Sequence, residues 1–125
     1  MEVRESGEMY LENILIISEK KENVRAIDIV EYMGYSKPSV SRAMSLLREG
    51  GYITVDKNGY ITLTPAGTEV AEKVYAKHKI LEDMLVYLGV DREIASIDAC
   101  KMEHVISEET FLHIKDFMKK NNASE

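Results

Sequence analysis

The chain has 125 residues, 45% of them hydrophobic and 30% charged, which is ordinary for a globular protein of one or two small domains. No apolar run is long enough to span a membrane. The polar segment 1–8 predicts no signal peptide, and a single cysteine permits no internal disulfide, so we expect a cytoplasmic protein. The net charge of −6 argues against binding DNA over the whole surface, since Lys and Arg must neutralise phosphates.

Two helices are predicted at the start of the chain. Apolar residues recur with helical spacing over 6–20 and again over 25–33. Gly34 is expected to end the second helix in a left-handed conformation. The second helix is expected to bury Ile27, Val30 and Met33.

A third helix is predicted over about 37–48, with Ser36 as its N-cap and an apolar stripe at Val40, Ala43, Met44 and Leu47. Two helices around a tight glycine turn, the second with small polar and basic outer residues, are typical of a helix-turn-helix. Asn58-Gly59 between the β-prone runs 52–55 and 60–63 then predicts a hairpin, the wing of a winged helix. The candidate DNA contacts are Ser36, Lys37, Pro38, Ser39, Ser41 and Arg42 on the recognition helix and Lys57 at the wing tip.

The rest of the chain is predicted to be helical. A long helix runs over about 65–88, a fifth over about 92–105 after the cap Asp91, and a sixth over about 108–119. The fold class is therefore mainly α: a winged helix-turn-helix with a two-stranded wing over 1–72, followed by a helical dimerisation domain over 73–125. Helix 6 is rich in apolar residues, some of which are expected to face a second subunit.

The fifth helix carries three residues that bind transition metals. Cys100, Glu103 and His104 have offsets of 0, 3 and 4, so they project from one side of the helix. His78 and Glu82 lie four apart on helix 4 and form a second metal-competent pair. A free cysteine alone is more often a buried apolar residue, and a His–Glu pair alone is an ordinary surface pair. The carboxylate and imidazole beside Cys100 favour coordination, since helices rarely bury both together without a reason.

A winged helix and a set of metal-binding residues in one chain predict a regulator whose DNA binding is controlled by a metal ion. These residues are equally consistent with a winged-helix regulator that no metal controls. An enzyme is not expected, because the sequence contains no glycine-rich phosphate loop, HExxH zinc motif or nucleophile elbow.

The sequence resembles the diphtheria toxin repressor and manganese transport regulator family of metal-dependent transcriptional regulators. The resemblance covers about 6–119 and is carried by residues 8–11 (EMYL), 77–79 (KHK) and 99–105 (ACKMEHV). It implies a homodimer that binds a palindromic operator and represses metal-uptake genes once a divalent metal is bound. The length is similar to that of members without an SH3-like third domain.

The resemblance also implies the metal ligands. The principal site of iron-responsive members falls on Met9, Cys100, Glu103 and His104, and part of their ancillary site falls on His78 and Glu82. Ser96 stands where that ancillary site has a histidine, and Glu12 matches a ligand of manganese-responsive members. Because thioether and thiolate are soft ligands, Fe(II) is the expected effector and Mn(II) the second choice, while Zn, Co or Ni would also bind in vitro.

Overall fold

The computed structural model describes residues 5–121, and in that range the chain forms six α-helices and two β-strands. Residues 1–4 and 122–125, including half of the polar N-terminal segment, lie outside the described range. The elements are α1 (Glu5–Lys20), α2 (Ala26–Met33), α3 (Lys37–Glu49), β1 (Ile53–Val55), β2 (Ile61–Leu63), α4 (Pro65–Tyr87), α5 (Arg92–Val105) and α6 (Glu108–Asn121). This order confirms the predicted fold class.

Local signals set the turn between α2 and α3. Gly34 has a φ of 74°, a left-handed conformation that favours glycine, and its N–H donates to the Val30 carbonyl at 2.9 Å. Ser36 then caps α3, accepting from the Ser39 backbone N–H at 3.3 Å. α3 buries Val40, Met44 and Leu47, as the sequence predicts.

The buried face of α2 differs from the prediction. Ile29 is fully buried, whereas Ile27 is 43% exposed. Val30 and Met33 are only partly buried and pack against the same core. In a helix of eight residues with several apolar side chains, spacing does not select one face, and packing against neighbouring elements decides it.

The wing is a short antiparallel hairpin. Ile53 pairs with Leu63 and Val55 with Ile61, so each strand is one residue shorter than predicted. The Asp56 carboxylate accepts from the backbone N–H groups of Asn58 and Tyr60 at 2.8 and 2.9 Å. This carboxylate fixes the turn that exposes Lys57.

The chain divides into two compact units, the first ending at Lys73 and the second beginning at Val74. Apolar side chains of α1, α2, α3, the hairpin and the start of α4 form the core of the first unit. The second unit has its own core around Leu81, Ala99 and Phe111. Leu88, the predicted last residue of helix 4, lies beyond α4 and is 67% exposed. Among the described helices, none combines the length and the apolar character that a bilayer crossing needs.

Candidate metal centre

α5 presents a buried acid and a buried imidazole side by side. Asp91 caps this helix by accepting from the Glu93 N–H at 3.1 Å. Toward its other end, the side chains of Glu103 and His104 are 0% and 1% exposed. His104 Nε2 lies 3.6 Å from Glu103 Oε2. Cys100 lies one turn earlier and is half-buried.

α4 adds a histidine and a second carboxylate to the same cluster. His78 Nδ1 lies 2.7 Å from Glu103 Oε1, and its Nε2 lies 3.1 Å from Glu82 Oε1. A neutral imidazole has one N–H and can donate to only one of these acids. Both contacts are hydrogen bonds only when the ring is protonated; a neutral ring keeps one nitrogen lone pair, which a metal ion can bind.

The sequence reasoning missed one member of the cluster, Arg92. Its Nη1 donates to Glu82 Oε2 at 2.6 Å and lies 3.5 Å from Asp83 Oδ1. Burial raises the pKa of Glu82, but the hydrogen bonds from Arg92 and His78 and the charge of His78 hold that pKa below its usual range. A positive charge in the first turn of a helix is unfavourable because it opposes the helix dipole. The position of Arg92 at the start of α5 could therefore have indicated that it has an acidic partner.

The donors of this cluster fit a divalent metal ion. Glu103 Oε2 has no hydrogen-bond partner within residues 5–121, although buried carboxylate oxygens normally have one. Carboxylate oxygen, imidazole nitrogen and thiolate sulfur are the donors that first-row transition metals bind in proteins. A buried acid beside two imidazoles, on a helix that carries a cysteine one turn earlier, therefore has the composition of a metal site.

Two further ligand candidates belong to α1 of the first unit. Met9 is half-buried, and its sulfur accepts a hydrogen bond from the Tyr35 hydroxyl at 3.4 Å. Glu12 is 4% exposed. A carboxylate so deeply buried is unusual, because glutamate side chains are mostly exposed unless they are paired.

The candidate DNA contacts all lie on the solvent side of the first unit. Lys37, Pro38, Ser41 and Arg42 are exposed on α3, opposite its buried stripe, and Lys57 is exposed at the wing turn. Ser36 and Ser39 are also exposed, but their hydroxyls bond to each other at 2.9 Å and form the helix cap. The basic side chains are therefore free of the cap and face outward.

Two family models cover most of the chain. The model described as the iron dependent repressor, N-terminal DNA binding domain matches residues 2–61. The model described as the iron dependent repressor, metal binding and dimerisation domain matches residues 64–124. The two matches follow one another in the order expected for a single repressor chain.

Similar proteins are regulators too. An uncharacterised HTH-type transcriptional regulator from Methanocaldococcus jannaschii is 36% identical over 93% of this chain and 94% of its own length. The transcriptional regulator MntR from Escherichia coli O6:H1 is 33% identical over 96% of this chain and 77% of its own.

Solved structures agree with these matches. A manganese-dependent transcriptional repressor in complex with manganese superposes with a TM-score of 0.82 at 26% identity, over 90% of this chain and 52% of that one. The manganese regulator SloR has a TM-score of 0.78 at 27% identity, over 95% and 55%. This chain thus spans about half the length of these two. The chain belongs to the diphtheria toxin repressor and manganese transport regulator (DtxR/MntR) family of metal-dependent transcriptional repressors.

Proposed function

We propose that this chain represses metal-uptake genes and that a divalent metal ion activates it for binding to a palindromic operator. The observation that carries the proposal is the buried Glu103 carboxylate, which lies 2.7 Å from one imidazole and 3.6 Å from another. Burying a carboxylate costs several kcal/mol unless positive charge compensates it. A bound divalent ion would supply that charge and would be coordinated by Glu103 Oε2.

The proposed ligands are Cys100, Glu103, His104 and His78, with Met9 and Glu12 joining them by the family resemblance. The sulfur atoms of Cys100 and Met9 are soft donors, which favour Fe(II) over Mn(II). Fe(II) is therefore the proposed effector and Mn(II) the second. Mn(II) is tested beside Fe(II) because one of the similar solved structures is a repressor in complex with manganese.

Recognition of DNA is assigned to the first unit. The α3 side chains Lys37, Ser41 and Arg42 are proposed to enter the major groove, while Lys57 approaches the phosphates. A two-fold dimer presents two such helices to half-sites about 34 Å apart, one turn of DNA. A metal that prefers the DNA-competent form by about 1–3 kcal/mol would raise operator affinity about 5–150-fold.

The test is DNA binding with and without metal under anaerobic conditions. Fluorescence anisotropy would follow a labelled fragment from upstream of the gene, first in chelator and then with Fe(II) or Mn(II). Wild type would be compared with Cys100→Ala, Glu103→Gln and His104→Ala. His113→Ala is the matched control, since His113 is exposed on α6 outside the cluster.

We expect metal to raise affinity about 5–150-fold in wild type and in the His113 control. The gain should disappear in Glu103→Gln and His104→Ala. The ion that acts at the lower concentration identifies the effector. Equal affinity in chelator and in metal would instead identify a winged-helix regulator that metal does not gate.

A further inference from the structure

The Arg92 guanidinium is the positive partner of two carboxylates beside the proposed metal site. Its guanidinium contacts Glu82 at 2.6 Å and Asp83 at 3.5 Å. Both acids lie on α4, and Arg92 is the first residue of α5. An arginine keeps its charge at every physiological pH, so these two carboxylates always have a positive partner.

Glu82 has donors on both of its oxygens. Oε2 accepts from Arg92, and Oε1 faces His78 Nε2 at 3.1 Å. Ser96 contributes, after Arg92 and His78, to holding the pKa of this carboxylate below its usual value. Because the side chain is only 17% exposed, little room remains for Glu82 to exchange these donors for another cation.

These groups line a cavity of about 390 Å³ in the second unit. Its lining residues are Tyr75, His78, Lys79, Glu82, Asp83 and Arg92. Two carboxylates and an imidazole around one cavity are a donor set suited to a divalent ion. In this chain a guanidinium lies among them instead.

We propose that Arg92 substitutes for a second metal ion, so that each subunit binds one ion, at the cluster of Glu103 and His104. Glu82 then does not coordinate metal. It holds the His78 ring by its Nε2, which leaves Nδ1 directed at Glu103, as a carboxylate partner commonly does for a metal-binding histidine. This inference rests on the proposed function, because it assumes that the first ion binds at Glu103 and His104.

The experiment counts Mn(II) ions per subunit by electron paramagnetic resonance, in which free Mn(II) gives the signal and bound Mn(II) loses it. Wild type would be compared with Arg92→Ala and with Arg92→Lys, which retains the charge. Lys79→Ala is the matched control, since it removes a positive charge from the same cavity but has no carboxylate contact in the described cluster. Circular dichroism would verify that each variant is folded.

We expect one bound ion per subunit in wild type, Arg92→Lys and Lys79→Ala, and two in Arg92→Ala. Two ions in wild type, or one in Arg92→Ala at saturating Mn(II), would overturn the inference. Failure of the proposed function is a different result: wild type and Glu103→Gln would then bind Mn(II) equally weakly.

Discussion

Asp28 ties together the turn between α1 and α2. One carboxylate oxygen contacts Lys21 Nζ at 2.6 Å, and the other accepts from the Arg25 backbone N–H at 2.8 Å. The hydrogen bond from Lys21 is the largest cause that lowers the pKa of Asp28 below its usual value. Lys21 is half exposed, so most of the stabilisation is expected from the backbone contact at the helix start.

Replacing Asp28 by Ala, which removes the acceptor of the Arg25 N–H, should therefore lower the free energy of unfolding by about 1 kcal/mol at pH 7. The folded pKa lies below the unfolded one, so the carboxylate stabilises the protein above pH about 4, and this contribution is lost as the pH falls through the folded pKa. Urea unfolding of wild type and variant at pH 7 and pH 3 measures the difference, which should shrink at pH 3. Glu31→Gln, at an exposed position of the same helix, is the control. A deficit of equal size at both pH values would contradict this account.

At the scale of single residues, the cluster proposed to bind metal was only partly predictable from the sequence. Helical spacing was enough to place Glu103 and His104 near each other, because adjacent positions on one helix need no tertiary information. The contact of His78 with Glu103 joins residues 25 apart and depends on how α4 packs on α5. Arg92 was missed for the same reason, since its partners lie on a different helix.

At the scale of the elements, the start of α4 packs closely on the wing. Gly67 is buried in the first turn of α4, and a Cβ there would collide with the carbonyl oxygen of Tyr52 and lie 3.4 Å from Leu63 Cδ2. Thr64 supports this approach, since its hydroxyl donates to the Gly51 carbonyl at 2.7 Å and accepts from the Gly67 N–H at 3.1 Å. The glycine is therefore needed for the close approach of two backbones.

We expect Gly67→Ala to destabilise the protein even though alanine is the better helix former by about 1 kcal/mol. A clash with backbone cannot be relieved by a side-chain rotation, so the net loss should be about 1–3 kcal/mol. Thermal unfolding followed by circular dichroism measures it. Glu69→Ala, at an exposed site in the same turn, should leave the midpoint nearly unchanged. An unchanged or higher midpoint in Gly67→Ala would show that α4 can move away from the wing without cost.

The boundaries of the elements were the most predictable part of the fold. Gly34, Ser36 and Asp91 act through contacts within a few residues, so their roles can be read from the sequence. The orientation of α2 was not predictable. Whether Ile27 or Ile29 is buried depends on contacts with α1 and α3, which lie outside the helix itself.

At the scale of the whole molecule, the second unit exposes more apolar side chains than an isolated unit requires. Seven of them are 45–75% exposed, namely Tyr87, Leu88, Ile94, Ile97, Val105, Leu112 and Phe117. Exposed apolar surface of this kind marks protein–protein interfaces. The family model that matches this half is described as a metal binding and dimerisation domain, so we expect a second copy of the chain to cover this surface.

Ile94 and Ile97 lie three apart on α5 and thus on one face, and they are 54% and 56% exposed. Changing both to Glu should weaken dimerisation at least about 100-fold, or about 2.7 kcal/mol, because dimerisation would bury charges that have no partner. Sedimentation equilibrium gives the dissociation constant, and operator affinity should fall with it, since a monomer contacts one half-site. Ile27→Glu alters an apolar residue of the first unit that is 43% exposed, and it should remain dimeric. If the double variant also stays dimeric while folded, the two subunits must associate through a surface that does not include this face of α5.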